Sequence, residues 1–237
     1  MLTVGEIAKM IDHSLLKPEL TVQQAIEGCK LAKEYDVASV CVKPCDVKLA
    51  NRELEGSDVL VTTVIGFPHG AHKTETKIFE AKQAIEDGAV ELDMVLNIGR
   101  LISKDFDYVK EDIEKVVEFA HEKDVKVKVI LENCYLTDEL KEIACRICEE
   151  AGADFVKTST GYGTSGATIE DLKLMRKTCS EKVKIKAAGG VRTLDAALAV
   201  RKAGAARFGA TATKIILDEA ATREKTGKLE EMSDVNI

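Results

Sequence analysis

Ala151-Gly152-Ala153-Asp154-Phe155-Val156-Lys157-Thr158-Ser159-Thr160-Gly161 is the stretch that decides the fold. A helical pattern ends in a glycine, which enters the left-handed conformation of a helix cap without steric penalty. A short apolar run follows at once and stops in a lysine beside small residues. The same joint recurs as Asp87-Gly88-Ala89-Val90-Glu91-Leu92-Asp93 and as Ala203-Gly204-Ala205-Ala206-Arg207-Phe208-Gly209. Working outward from these three joints, strand patterns fall at residues 11–16, 39–42, 59–65, 91–96, 126–131, 154–157, 183–188 and 206–209. Helical patterns separate them, for example at 22–35, 74–87, 168–178 and 194–203. Eight such units in 237 residues predict a single-domain α/β fold, a (β/α)8 TIM barrel over residues 1–237, close to the usual length of about 250. An open doubly wound sheet is the alternative. It is disfavoured because no strand runs into a G-x-G-x-x-G turn and the strand count reaches eight.

Composition excludes several classes of function. A net charge of −7 and a pI near 5.3 argue against a nucleic-acid partner, which needs clustered cations without competing carboxylates. Basic and acidic residues instead interleave along 109–121, the pattern of a solvated, ion-paired helix face. No apolar run approaches the roughly 18 residues that span a bilayer, and residues 1–10 have neither a basic start nor an apolar centre. The expectation is a cytoplasmic protein with no membrane partner. Three prolines and no low-complexity tract leave nothing that reads as a linker. Seven cysteines, an odd number lying mostly in strand and helix patterns, read as reduced packing residues. Cys145 and Cys148 form a C-x-x-C, but inside the helical pattern 138–151 and without a second ligand pair, so packing is preferred there to metal or redox chemistry.

Neighbouring side chains on a strand point to opposite faces. Glu91, Asp93 and Val95 then oppose Leu92, Met94 and Leu96. Lys126, Lys128, Ile130 and Glu132 oppose Val127, Val129 and Leu131, and Lys182, Lys184 and Lys186 oppose Val183, Ile185 and Ala187. The apolar sets suit the helix-facing surface, which turns the charged sets into the barrel. An interior so charged has to pair internally and reads as a site. Lys126 and Lys182, at the strand starts, fit solvent at the barrel bottom. Asp93, Lys157 and Lys186 lie toward the carboxyl ends, where active sites of this fold are built.

A lysine amine has an ordinary pKa of about 10.4 and attacks a carbonyl only when burial or a second cation destabilises its charged form. A shift of about three units needs about 4 kcal/mol, within reach of a close like charge in a partly dry pocket. Two converging lysines, Lys157 and Lys186, therefore point to Schiff-base chemistry, the alternative being lysines that end strands in solvent. Gly189-Gly190-Val191-Arg192 and Gly209-Ala210-Thr211 follow the seventh and eighth strands. Loops at those places commonly bind phosphate through backbone N–H groups. Gly189, Gly190 and Gly209 leave room for close approach, and Thr211 adds a hydroxyl.

With these residues assembled, the whole chain resembles the deoxyribose-phosphate aldolase family of class I aldolases. The resemblance lies in Ile11-Asp12-His13-Ser14-Leu15-Leu16, Val61-Thr62-Thr63-Val64-Ile65-Gly66-Phe67-Pro68, Glu91-Leu92-Asp93-Met94-Val95-Leu96-Asn97, Phe155-Val156-Lys157-Thr158-Ser159-Thr160-Gly161, Lys184-Ile185-Lys186-Ala187-Ala188-Gly189-Gly190-Val191-Arg192 and Arg207-Phe208-Gly209-Ala210. It implies that Lys157 forms the Schiff base, that Lys186 lowers its pKa and joins in proton transfer, and that Asp93 shuttles protons with a water. The implied reaction cleaves 2-deoxy-D-ribose 5-phosphate reversibly to D-glyceraldehyde 3-phosphate and acetaldehyde, with no metal or organic cofactor. Thr160, together with Gly189, Gly190, Gly209 and Thr211, is expected on the substrate and its phosphate. The family also suggests a homo-oligomer, taken as a dimer.

Some positions depart from the family pattern. His69 and His72 stand in a loop where an uncharged residue is usual at the first, and their spacing lacks the carboxylates of a metal site. Tyr162 replaces a lysine that holds phosphate in some members, so that contact has to come from elsewhere. Ala212 stands where some members have a second serine, and Asn133 replaces a common threonine. The ending Met232-Ser233-Asp234-Val235-Asn236-Ile237 lacks the tyrosine some members use as a proton shuttle. Cys41, on the face of Lys43, borders the pocket or fills the core, with packing preferred. Asp12 and Ser14 share a face; Asp12 either contacts substrate hydroxyls or pairs with an interior lysine. Another Schiff-base or phosphate-binding barrel enzyme, and a non-catalytic phosphate sensor, are the competing functional readings.

Overall fold

The structure is a computed structural model that describes residues 2–232. At each of the three glycine-alanine joints a helix stops on a left-handed residue: Gly88, Gly152 and Gly204 have φ of 108°, 81° and 104°. At the central joint the Gly152 N–H donates to the Glu149 carbonyl at 3.1 Å and the Ala153 N–H to that of Cys148 at 2.9 Å, closing the helix and releasing the chain into a strand.

The order of elements is α1 Val4–Ala8, β1 Ile11–Leu15, α2 Val22–Glu34, β2 Ser39–Val42, α3 Val47–Glu53, β3 Leu60–Ile65, α4 Thr74–Glu86 and β4 Glu91–Val95. It continues with α5 Ile98–Ile102, α6 Phe106–His121, β5 Lys126–Ile130, α7 Asp138–Glu150, β6 Phe155–Lys157, α8 Ile169–Thr178, β7 Lys184–Ala188, α9 Leu194–Lys202, β8 Ala205–Ala210 and α10 Thr213–Lys225. Helix starts are set by hydroxyl caps. Thr21 accepts from the Gln24 N–H while the Gln24 side chain returns to Thr21, and Thr137, Thr168 and Thr193 cap α7, α8 and α9 in the same sense. The eight strands form a closed parallel barrel in chain order, with β8 paired back to β1.

The expected division of faces holds through most of the barrel. Leu92, Met94, Val127, Val129, Ile185 and Ala187 are buried under the helices. Two expectations need correction. Lys184, placed with the interior set, is exposed at the start of β7, because the barrel has not yet closed over it. Glu132 does not continue the face of Lys128 and Ile130. The strand ends at Ile130, and Glu132 turns left-handed at φ 56° and ψ 63°, which breaks the alternation. All seven cysteines are free, with Cys45 exposed, Cys134 half-buried and the other five buried. No helix among the described residues is long and apolar enough to cross a membrane.

Candidate active site

Parallel register brings the interior charges together. Lys157 of β6 is paired with Lys186 of β7, Lys186 with Arg207 of β8, and Asp93 of β4 with Lys128 of β5. The Lys157 and Lys186 ammonium positions converge on one atom: Asp93 Oδ2 accepts from Lys157 Nζ at 2.7 Å and from Lys186 Nζ at 2.6 Å. Asp93 Oδ1 accepts from Lys128 Nζ at 3.0 Å. Lys186 Nζ also lies 2.5 Å from Asp12 Oδ2, and Lys128 Nζ lies 2.5 Å from Glu91 Oε2. Below these, Arg207 donates through Nε to Asp12 Oδ1 at 2.8 Å and through Nη2 to Asp12 Oδ1 and Glu91 Oε2. Ser39 and Thr62 hydroxyls complete Asp12 and Glu91.

The two central amines are unequal. Burial pushes Lys157 below the usual lysine range, and the Lys186 charge adds to it against the pull of Asp93. Burial acts on Lys186 as well, but Asp12 and Asp93 outweigh it and raise Lys186 above the usual range. One carboxylate beside Lys157 and two beside Lys186 make the difference. The neighbouring cation expected to depress Lys157 is therefore present but second to burial. Asp93 is held well below the carboxylate range: burial opposes its charge, and Lys128, Lys157 and Lys186 together overcome that. Asp12 is likewise lowered, by Lys186, Lys128 and Arg207 against burial. Three carboxylates, Asp12, Glu91 and Asp93, thus face four cations, Lys128, Lys157, Lys186 and Arg207. The set carries one cation in excess, and Lys157 is the one whose charge burial disfavours.

A cavity of about 500 Å³ opens over this floor at the carboxyl ends of β1, β6, β7 and β8. Lys157, Lys186 and Asp12 reach it, as do Thr160, Gly189, Gly190, Gly209 and Thr211. Asp93 does not: it is fully buried beneath the two lysines. A larger groove of about 790 Å³ beside α3, lined by Arg52, Leu60 and Val90 among others, contains none of the interior charges. The chemistry selects the smaller cavity.

The individual expectations resolve unevenly. Asp12 takes the interior pairing with Lys186 and Arg207 while still forming part of the cavity floor. The Thr160 hydroxyl donates to Glu132 Oε2 and accepts the Tyr162 N–H at 3.0 Å, so it is committed to the turn. Gly189 has φ 80°, and a Cβ there would come within 2.8 Å of the Gly166 Cα, so its glycine serves a backbone crossing. Gly190, at φ 95°, lies at the cavity. Tyr162 donates its hydroxyl to the Leu16 carbonyl at 2.8 Å and sets its ring edge-on to Phe67, forming part of the wall. The exposed cations Lys17 and Arg192 also line the cavity. Cys41 is both packed and at the cavity, and burial pushes its thiol up to about 11. His69 and His72 are exposed. The ending that lacks the tyrosine shuttle of some family members lies, from residue 233, outside the described residues.

Three neighbours of the site, Lys128, Arg207 and Glu132, carry no decisive mark in the sequence. Lys128 stood on the charged face, but its alternation with Ile130 marked the face alone. Arg207 lay inside the third glycine-alanine joint. Glu132 had no sequence signal for its left-handed turn.

A closed (β/α)8 barrel whose carboxyl-end cavity is floored by a network of buried, paired charges defines an enzyme of the barrel class. Residues 5–216 match the sequence profile of the DeoC/LacD family aldolase. The deoxyribose-phosphate aldolase of Thermococcus gammatolerans is 55% identical over 221 residues, covering 92% of this chain and 98% of that one. The deoxyribose-phosphate aldolase of Clostridium novyi is 57% identical over 210 residues, covering 89% and 94%. The tetrameric deoxyribose phosphate aldolase of Aeropyrum pernix superposes with a TM-score of 0.86 at 28% identity, covering 93% of each chain. The chain belongs to the DeoC/LacD aldolase family.

Proposed function

We propose that this chain cleaves 2-deoxy-D-ribose 5-phosphate reversibly to D-glyceraldehyde 3-phosphate and acetaldehyde through an imine on Lys157. The observation that carries the reading is the Lys157 amine, buried at the cavity floor, lowered in pKa and sharing Asp93 Oδ2 with a more basic Lys186. Relatives named for this activity over nearly their whole length support the choice of substrate.

The neutral amine attacks C1 of the open-chain sugar, and loss of water leaves a protonated imine. The C3 hydroxyl then gives up its proton, the C2–C3 bond breaks, and its electron pair moves to the imine to form an enamine. Protonation at C2 and hydrolysis release acetaldehyde and restore the amine. Asp93 with a water carries these protons, and because it lies beneath the two lysines it exchanges them with the cavity through the Lys157 and Lys186 nitrogens. Lys186, held charged by two carboxylates, keeps Lys157 the less basic partner and takes part in the transfer. Because the imine accepts the electrons, the scheme needs no metal or organic cofactor.

The phosphate sits against Gly190, Gly209 and Thr211, with Gly189 shaping the loop. Lys17 and Arg192 supply the cationic charge that Tyr162 does not. Thr160 acts through the turn and Asp12 through Lys186. The same reading takes the chain as one catalytic domain, a cytoplasmic homo-oligomer; the Aeropyrum pernix relative is a tetramer.

The test is a coupled assay for D-glyceraldehyde 3-phosphate released from 2-deoxy-D-ribose 5-phosphate with EDTA present. Turnover should persist in EDTA and fall by at least about 1,000-fold in Lys157→Leu, since removal of a covalent nucleophile has effects of this order. Absence of release, or unchanged turnover in Lys157→Leu, would overturn the reading.

A further inference from the structure

Between Lys157 and Tyr162 the chain turns across the mouth of the barrel, and one carboxylate from the neighbouring loop grips it. On the β7 side the turn is fastened at Thr158, whose N–H donates to the Lys186 carbonyl at 3.1 Å and whose hydroxyl bonds Ala188. On the β5 side the Leu131 and Asn133 N–H groups donate to the Lys157 and Thr158 carbonyls, each at 2.9 Å. Beyond Thr158, Glu132 takes over: its Oε1 accepts the Thr160 N–H at 3.1 Å and its Oε2 accepts the Thr160 hydroxyl. Glu132 is 2% exposed, and its left-handed backbone is uncommon for a residue without a short polar side chain, at about 1–2 kcal/mol. Had Glu132 stayed extended, its side chain would have shared the inward face of Lys128 and Ile130. The left-handed turn aims the carboxylate over the turn instead, while Asn133 reaches Asp171 of α8 at 3.1 Å. Strain of this kind concentrates at functional sites.

Resting on the imine reading of Lys157, we propose that Glu132 is the positioning residue for that lysine, holding the turn Thr158–Tyr162 so that the amine stays seated between Asp93 and the cavity. The test traps acetaldehyde on the full-length protein with cyanoborohydride, reads the adduct at Lys157 by peptide mass, and repeats this across pH beside a thermal melt. Lys157 is faced by Asp93 of β4, Lys186 of β7 and Cys41 of β2, with Lys128 of β5 on Asp93 and Asp12 of β1 on Lys186, all unchanged in the variants. Thr160→Val and Glu132→Gln should slow trapping by about 10- to 100-fold, the scale of a misplacement of about 1 Å. The pH midpoint should move upward as water reaches the amine, and Thr160→Ser, which keeps both bonds, should trap like the parent. A purely structural role would lower the melting temperature and leave the midpoint in place, and that result overturns the proposal, as do parental rates in both variants. If Glu132→Gln fails to fold, Thr160→Val against Thr160→Ser decides. Failure of the parent itself to trap at Lys157 would instead overturn the imine reading.

Discussion

Two amines on one carboxylate oxygen cannot both keep their protons cheaply, and at the residue scale the question is which one yields. Lys186 pairs with Asp12 as well as Asp93, whereas among the described residues Lys157 pairs with Asp93, so Lys157 is the weaker base. Its depressed pKa carries a stability consequence. Between the lowered native value and about 10.4 the unfolded chain binds a proton that the native state does not, so this site's contribution to stability falls as pH falls through that window. Lys157→Met should therefore raise stability by about 0.5–2 kcal/mol while abolishing turnover. Asp93→Asn should do the reverse, destabilising by roughly 3–5 kcal/mol, because Lys128, Lys157 and Lys186 would lose their shared carboxylate. Chemical denaturation of the two variants beside the parent checks both signs. Strand alternation made Asp93 and Lys186 legible, because both lie in short runs with apolar opposite faces, and Lys157 stood out as a lysine that ends an apolar run before small residues. Alternation assigns a face but not a partner, which is why Lys128 and Arg207 did not stand out. Glu132 escaped because nothing in Leu131-Glu132-Asn133 marks a left-handed residue.

At the scale of elements, the glycine joints read true where glycine makes them and are silent elsewhere. The ends of α2 and α6 turn left-handed at Asp36 (φ 46°) and Asp124 (φ 57°), where aspartate does the work of glycine and leaves no obvious punctuation. A second hidden feature joins α4 to α6. Lys77 has the look of an outward helix charge, yet it is fully buried, 2.5 Å from Asp112 and donating to the Val95 carbonyl at 2.9 Å. Its stem runs over Gly66, where a Cβ would approach the Lys77 Cε to 2.8 Å, so the missing side chain makes the room. The pair fastens two helices to the carboxyl end of β4, two residues beyond Asp93. Lys77→Met alone should destabilise by roughly 3–5 kcal/mol, since Asp112 is left buried and unpaired. The double variant Lys77→Met with Asp112→Leu should recover most of that in a denaturant titration. A double variant no more stable than the single one would show that the pair itself is needed.

The charge balance of the floor belongs to the whole molecule. Its seven ionisable side chains come from β1, β4, β5, β6, β7 and β8, and they meet only because the barrel closes and brings β8 beside β1. The closed fold was legible from the count and spacing of the strands. The pairing of Asp12 with Arg207 was not, since these residues are 195 positions apart and meet across the closing seam. With three carboxylates against four cations, the interior is neutral when one amine is unprotonated, and the geometry selects Lys157. The most direct test is the pH dependence of acetaldehyde trapping by borohydride, with the modified lysine identified by peptide mapping. A single adduct at Lys157, whose rate rises through a midpoint clearly below the ordinary lysine value of about 10.4, is the expected result. An adduct on Lys186 or on a surface lysine, or a midpoint at the ordinary value, would contradict the account.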